Sequence, residues 1–271
     1  MTTAPRQPSE TPPCGVRVPA PDGGCLRAER TGTGSPVVLL HGAGMDSRLW
    51  DAVVPELARH HDVIRYDARG LGRSTPPGEP FSDVEDLRLV LDHFGLRRAA
   101  LVGLSMGGET SLDFALAHPR RVAALALVGA SVSGHVWPRS PESDAYAAAR
   151  RERAPAALAE LELAIWAAMG RTAPGGALIE AMVAANAERR IVSEQHCVIP
   201  PSRDAAPHLG EITAPTLVLH GDRDHPEIAV IAARLAAEIP GARGETVPEA
   251  DHYLPLRTPE RLTSLLLSHL P

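Results

Sequence analysis

Lysine is absent from this sequence, so all 27 of the basic side chains other than histidine are arginines. Without lysine, a Schiff-base mechanism is excluded. The formal net charge is −6 and no basic stripe occurs, which argues against nucleic acid as a partner. There is also no run of eighteen apolar residues, so the sequence predicts no membrane-spanning helix.

Cysteine is scarce, with only Cys14, Cys25 and Cys197 among 271 residues. Their odd number and wide spacing exclude a disulfide framework and a zinc knuckle, and they are consistent with a reducing cytoplasm. Residues 1–13 are rich in Thr and Pro and lack the apolar segment of a signal peptide. We therefore expect a disordered tail at residues 1–13 and a cytoplasmic location.

Short apolar runs alternate with helical patterns through residues 14–130 and 207–271. The runs expected to be buried strands are residues 36–40, 63–66, 99–102, 122–128, 215–219 and 242–247. An antiparallel hairpin is expected before them, and the spacing of Leu49, Val53 and Leu57 predicts one helix ending at Arg59. A capping box at Ser82 begins another helix, with Asp86 off its apolar face. This alternation predicts an α/β protein with a mostly parallel twisted sheet covered by helices on both faces.

The strand–helix rhythm breaks between residues 131 and 206, where the sequence is rich in alanine and punctuated by proline. Residues 145–153, 156–169 and 177–191 are compatible with helices. We interpret residues 131–206 as a helical lid inserted between two strands of the core. The alternative is a set of packing helices that have no contact with a substrate.

Residues 103–108 read Gly-Leu-Ser-Met-Gly-Gly between a predicted strand and a predicted helix. A G-x-S-x-G sequence in that context is the nucleophile-elbow pattern, in which a strained turn exposes the serine hydroxyl above the sheet. Gly103 and Gly107 leave room for the strand and the helix to approach each other. Ser105 is therefore the candidate nucleophile.

A serine nucleophile needs a histidine to take its proton and a carboxylate to orient that histidine. Asp224 and His252 follow separate predicted strands, in the chain order serine, acid, histidine. Asp222 shares the loop of Asp224 and is the other candidate acid, whereas Asp251 is adjacent to His252 and is expected to point elsewhere.

Two main-chain N–H groups are expected to stabilise the oxyanion that such an attack produces. One is the N–H of Met106, which opens the elbow helix and so benefits from the helix dipole. The other is the N–H of Ala43, just after His41 and Gly42, with Gly44 as the alternative. No dinucleotide fingerprint, P-loop or metal-ligand spacing occurs, so we expect neither a cofactor nor a metal.

These landmarks together resemble the α/β-hydrolase superfamily from about residue 24 onward. The matching residues are His41-Gly42, the segment 67–74, the elbow, Gly221-Asp222-Arg223-Asp224 and His252. The chain is most similar to small esterases, enol-lactone hydrolases and cofactor-free perhydrolases. The resemblance implies the α/β-hydrolase fold and places the acid at Asp224, which leaves Asp222 as a turn-forming residue. Some members carry the acid after the preceding strand, but residues 129–131 contain no carboxylate.

The resulting hypothesis is a cofactor-independent serine hydrolase that cleaves a small or medium-sized ester or lactone. Candidates for its pocket are Arg48, Trp50, Trp137, Trp166 and Met169. Each of the apolar ones could equally belong to the core, and Arg48 could be a solvated arginine at a helix start. Perhydrolysis, carbon–carbon bond hydrolysis, acyl transfer and a non-catalytic ligand sensor remain open. Haloalkane dehalogenase and epoxide hydrolase chemistry are disfavoured because the elbow residue is serine, not aspartate.

Overall fold

The structure, a computed structural model, describes residues 15–193 and 198–271; the tail expected at residues 1–13 lies outside them. In this part of the chain, eight strands form one sheet in the order β1-β2-β4-β3-β5-β6-β7-β8. Strand β2 runs antiparallel to both of its neighbours, and every other adjacent pair is parallel. The strands are β1 (Val16–Pro19), β2 (Cys25–Gly32), β3 (Ser35–Leu40), β4 (His61–Asp67), β5 (Ala99–Leu104), β6 (Val122–Val128), β7 (Thr216–Gly221) and β8 (Arg243–Val247).

Helices cover both faces of this sheet, which confirms the predicted architecture. They are α1 (Val54–Leu57), α2 (Asp83–His93), α3 (Met106–Ala117), α4 (Pro141–Arg151), α5 (Pro155–Trp166), α6 (Gly176–Ser193), α7 (Pro226–Glu238), α8 (Leu254–Arg257) and α9 (Pro259–His269). The two faces of strand β3 explain why residues 36–40 are apolar throughout. Val37 and Leu39 belong to one core cluster and Val38 and Leu40 to another, because successive side chains point to opposite faces of a strand. Helices α2, α3 and α7 pack into one cluster, and α9 into the other.

The single helix predicted up to Arg59 is wrong. A 3-10 turn at Ser47–Trp50 is followed by the short helix α1. Pro55 has no N–H to donate to the preceding turn, and it lies in the first turn of the new helix, which begins at Val54.

The placement of Asp86 outside the apolar face of α2 is also wrong. Asp86 is 4% exposed and pairs with Arg69, whose Nε and Nη2 donate to the two carboxylate oxygens at 2.9 and 2.5 Å. A local helical pattern does not reveal this partner, because Arg69 comes from the loop after β4.

Three helices, α4 to α6, lie between β6 and β7 within the segment predicted as an insertion. Helix α4 begins at Pro141, earlier than predicted, because Ser140 and Ser143 form a reciprocal capping box at its start. Helix α5 ends at Trp166 instead of Met169. On α6, the side chain of Asn186 donates to Asp46 and accepts from the N–H of Gly72, which joins the insertion to the core. None of the described helices combines the length and the apolar character needed to cross a membrane.

Candidate active site

Ser105 lies between β5 and α3 with backbone angles φ 54° and ψ −117°. A positive φ is unusual for a residue with a Cβ atom and indicates local strain. The turn closes only because its neighbours are small. A Cβ on Gly103 would lie 2.2 Å from the carbonyl oxygen of Gly107, and a Cβ on Gly107 would lie 2.5 Å from that of Leu40. The elbow geometry therefore has a steric basis in these two glycines.

His252 and Asp224 form a buried pair, with side chains only 4% and 1% exposed. Asp224 follows β7, and His252 follows β8. The Nδ1 atom of His252 is 3.0 Å from each carboxylate oxygen of Asp224, so Nδ1–H is the donor and Nε2 is left as the acceptor in the neutral ring. Ser105 and His252 line the same cavity.

Gly129, at the end of β6, makes room for this pair. Its φ is +49°, and a Cβ there would lie 3.1 Å both from Oδ2 of Asp224 and from Nδ1 of His252. The position after β6 thus contributes empty space beside the Asp224–His252 pair.

The two other aspartates near His252 have different partners. Asp222 accepts a hydrogen bond from the N–H of Ala250 at 3.2 Å, which links the loop after β7 to the loop after β8. Asp251 forms an ion pair with Arg257 in which both side chains are 0% exposed. Among the described hydrogen bonds, only Asp224 reaches the imidazole of His252.

The loop after β3 brings Ala43 beside the elbow. A Cβ on Gly42 would lie 3.3 Å from Cβ of Ser105, so glycine permits this approach. His41 holds the loop, because its Nδ1–H donates to the carbonyl of Gly42 at 2.8 Å and its Nε2 accepts from Ala68 N–H at 2.9 Å. Within residues 15–193 and 198–271, the N–H groups of Ala43 and Met106 have no acceptor. They are available to an oxyanion formed at Ser105.

A cavity of about 570 Å³ opens above Ser105 and His252. The core contributes the apolar and aromatic side chains of Met45, Leu104 and Tyr253 to its wall, beside the polar Ser105 and His252. The segment between β6 and β7 also lines the cavity, with Trp137 from the stretch before α4 and with Tyr146, Arg150, Glu162, Trp166 and Arg190 from helices α4 to α6. The cavity wall therefore combines apolar and aromatic side chains with a charged cluster from helices α4 to α6.

Trp137 and Trp166 lie in the cavity wall, but the other residues proposed for the pocket do not. The prediction of Trp50 as a pocket residue is wrong, because Trp50 is 0% exposed and packs within the hydrophobic core. Arg48 is held at a different cleft, where its Nε and Nη2 donate to Asp46 at 2.8 and 2.7 Å. Met169 follows the end of α5 and uses its backbone N–H to bind Asp251 at 3.0 Å.

Sequence reasoning missed a cluster of polar side chains in the cavity wall, formed by Tyr146, Glu162 and Arg190. The hydroxyl of Tyr146 donates to Glu162 at 2.5 Å, and Arg190 pairs with the same carboxylate while its guanidinium lies 5.5 Å from the Tyr146 ring. The available signal was Glu162 itself. It lies four residues after Leu158 on the buried face of α5, where an unpaired carboxylate would be costly.

Two carboxyl groups on the elbow helix α3 have raised pKa values. Asp113 is 6% exposed and accepts from Ser133 Oγ at 2.5 Å, and burial raises its pKa to about 7. Burial also raises the pKa of Glu109 on the same helix. Neither side chain lines the cavity. The described residues include no group of three or more His, Cys, Asp or Glu side chains able to hold a metal ion.

Comparison with known proteins places this geometry in context. A model of the alpha/beta hydrolase family matches residues 37–265. A 2-hydroxy-6-oxo-2,4-heptadienoate hydrolase from Pseudomonas putida is 43% identical over 106 residues, which are 36% of this chain and 38% of that enzyme. The chain thus matches well under half the length of this curated relative.

Two solved structures are similar over nearly their whole length. A thermophilic esterase from Thermogutta terrifontis has a TM-score of 0.78 at 31% identity, covering 94% of this chain and 97% of that one. The enol-lactonase from Burkholderia xenovorans has a TM-score of 0.77 at 25% identity, covering 92% of this chain and 97% of that one.

Proposed function

Because the chain belongs to the alpha/beta hydrolase family, we propose that it is a serine hydrolase that cleaves a carboxylic ester or lactone of small or medium size. The observation that carries this proposal is the convergence of the strained Ser105 and the buried His252–Asp224 pair on one cavity. The similarity to an esterase and to an enol-lactonase supports the same substrate class.

In this mechanism Ser105 Oγ attacks the carbonyl carbon while Nε2 of His252 takes the hydroxyl proton. The carboxylate of Asp224 accepts the Nδ1–H bond and stabilises the imidazolium. The N–H groups of Ala43 and Met106 donate to the oxyanion, each worth roughly 3 kcal/mol of barrier. The imidazolium then protonates the leaving alkoxide as the acyl bond breaks. Water, deprotonated by His252, attacks the acyl-enzyme, and the carboxylic acid leaves as Ser105 regains its proton.

We also propose that residues 131–206 form a lid over the substrate. Helix α5 and the segment before α4 supply Trp166 and Trp137 to the cavity wall, which supports a role in substrate contact. The charged pair of Glu162 and Arg190 lies beside the loop after β3, because a Cβ on Gly44 would be 3.5 Å from Nη1 of Arg190 and 3.7 Å from Oε1 of Glu162.

A second candidate is hydrolysis of a 2-hydroxy-6-oxo-dienoic acid by the same three residues. It is favoured by the 43% identity to the Pseudomonas putida enzyme, although only 36% of this chain is matched. Parallel assays of such a dienoate and of an ester series would separate the two candidates.

The decisive experiment compares Ser105→Ala with Ser111→Ala on lactones, methyl esters and aryl esters. Ser111 lies on the same helix, is 0% exposed and donates to the carbonyl of Gly107, away from the cavity. We expect Ser105→Ala to lose about 10⁶-fold in kcat while folding normally, because removing the nucleophile disables the whole triad. Ser111→Ala is expected to retain activity, and a fluorophosphonate should label every variant except Ser105→Ala. Full activity of Ser105→Ala, or a wild-type protein that binds ligand but is not labelled, would refute the proposal.

A further inference from the structure

The imidazole of His252 lies against the face of an indole that comes from the inserted helices. The ring centroids of Trp166 and His252 are 4.5 Å apart, with an angle of 35° between their planes. Trp166 is the last residue of α5. His252 is thus held by the carboxylate of Asp224 at its Nδ1 edge and by Trp166 on one face. Tyr253 adds only an edge contact, at 5.8 Å and 76°.

The chain on both sides of this contact is anchored. Three residues after Trp166, the N–H of Met169 donates to Oδ2 of Asp251 at 3.0 Å. Asp251 is the residue immediately before His252, so one hydrogen bond joins the connector after α5 to the loop of the base. This hydrogen bond therefore helps to hold the chain segments that carry Trp166 and His252 next to each other.

Arg257 reinforces the same junction. Its guanidinium pairs with Asp251 in a fully buried ion pair and also donates to the carbonyl oxygens of Gly170 and Pro174, at 3.0 and 2.7 Å. Both carbonyls belong to the connector between α5 and α6. One arginine thus joins the loop of His252 to the segment that carries Trp166.

The indole has further aromatic neighbours. Trp137 meets it edge-on at 6.2 Å and 88°, and the ring of His225 lies 5.6 Å away. An aromatic face attracts a cation, and the attraction is stronger where water is excluded. When Ser105 gives up its proton, the cation that forms is the imidazolium of His252.

We propose that Trp166 is a positioning residue for His252, and this inference rests on the proposed serine hydrolase function. The indole face restricts rotation of the imidazole away from Asp224 and favours the imidazolium formed in the transition state. Both effects act on the chemical step and not on substrate binding. The lid segment therefore completes the catalytic geometry in addition to lining the cavity.

The test compares Trp166→Leu, which removes the aromatic face, with Trp166→Phe, which keeps one. For an acetyl ester and for longer acyl esters alike, we expect Trp166→Leu to lower kcat about tenfold, with KM changed much less. Trp166→Phe should recover most of the loss. Trp137→Leu is the matched control, because Trp137 lines the same cavity and touches Trp166 but makes no ring contact with His252. Trp137→Leu should change KM more than kcat.

A proton NMR signal distinguishes a positioning role of Trp166 from simple packing of Trp166 in the cavity wall. The proton shared by His252 and Asp224 should give a downfield proton NMR signal that is absent from His252→Ala. We expect this signal to broaden in Trp166→Leu and to persist in Trp166→Phe. If Trp166→Leu does not fold, Trp166→Met provides the same comparison with an unbranched, more flexible apolar side chain of similar volume.

The inference is overturned if kcat on the acetyl ester falls less than about threefold, the lower end expected for loss of a cation–aromatic contact. It is also overturned if kcat falls while the downfield signal is unchanged. A Trp166→Leu enzyme with normal kcat beside an inactive Ser105→Ala would refute the positioning role alone. Unchanged activity in Ser105→Ala would instead refute the proposed function.

Discussion

Replacing Arg257 by methionine should destabilise the protein strongly, because it breaks a buried network at the base of the site. The Nε and Nη2 atoms of Arg257 donate to the two carboxylate oxygens of Asp251 at 3.0 and 2.9 Å, and both side chains are 0% exposed. Methionine fills much of the same volume but cannot donate. The Asp251 carboxylate and the carbonyls of Gly170 and Pro174 would each lose a partner.

The cost can be worked out from the contacts that remain. Removing one partner of a buried ion pair costs about 3–5 kcal/mol. Asp251 keeps the N–H bonds from Met169 and Tyr253, at 3.0 and 3.2 Å, so we expect the lower end of that range. For a domain of this size, about 3 kcal/mol corresponds to a fall in Tm of roughly 6–12 °C.

Thermal and urea unfolding of Arg257→Met measure this effect, with Arg59→Met as the control. Arg59 pairs with Glu56 at 3.0 Å, but its side chain is 71% exposed, so little change is expected there. The double variant Arg257→Met/Asp251→Leu removes both charges and should recover part of the loss. Equal effects of Arg257→Met and Arg59→Met, or strict additivity in the double variant, would refute the reasoning.

Two further predictions concern a glycine and a buried carboxyl. Gly129→Ala should lower kcat at least tenfold, because its Cβ would lie 3.1 Å from both Asp224 and His252. The control Gly95→Ala has a similar φ of +68° with nothing within 4 Å, so it should lose about 1 kcal/mol of stability without loss of kcat; equal kcat in the two variants would contradict the steric argument. For Asp113, burial raises the pKa from 3.8 to about 7, so the folded state holds a proton that the unfolded chain releases. Its contribution to stability is complete below pH 3.8 and is lost as pH rises through about 7, by at most about 4 kcal/mol. Melting curves should therefore show that Asp113→Asn gains Tm relative to wild type between pH 5 and pH 8, and a constant difference would be evidence against it.

Local patterns predicted the fold well because each depends on neighbouring residues. The apolar run of β3 and the capping box at Ser82 act within one element, and the glycines around Ser105 act within one turn. The same reasoning failed at Trp50, where the 3-10 turn directs an aromatic side chain into the core. It failed at Asp86 because the partner Arg69 is 17 residues away along the chain.

By itself, the sequence determined the order of strands and helices, the strained serine turn and the candidate acid and base that follow β7 and β8. Tertiary structure decided which of these residues meet. It paired Asp224 with His252 and Asp251 with Arg257. It also placed Trp166 on the face of His252. The physical reason is the distance along the chain over which each interaction acts. Hydrophobic periodicity and turn chemistry act over a few residues, whereas these contacts form only when distant segments bury their surfaces together.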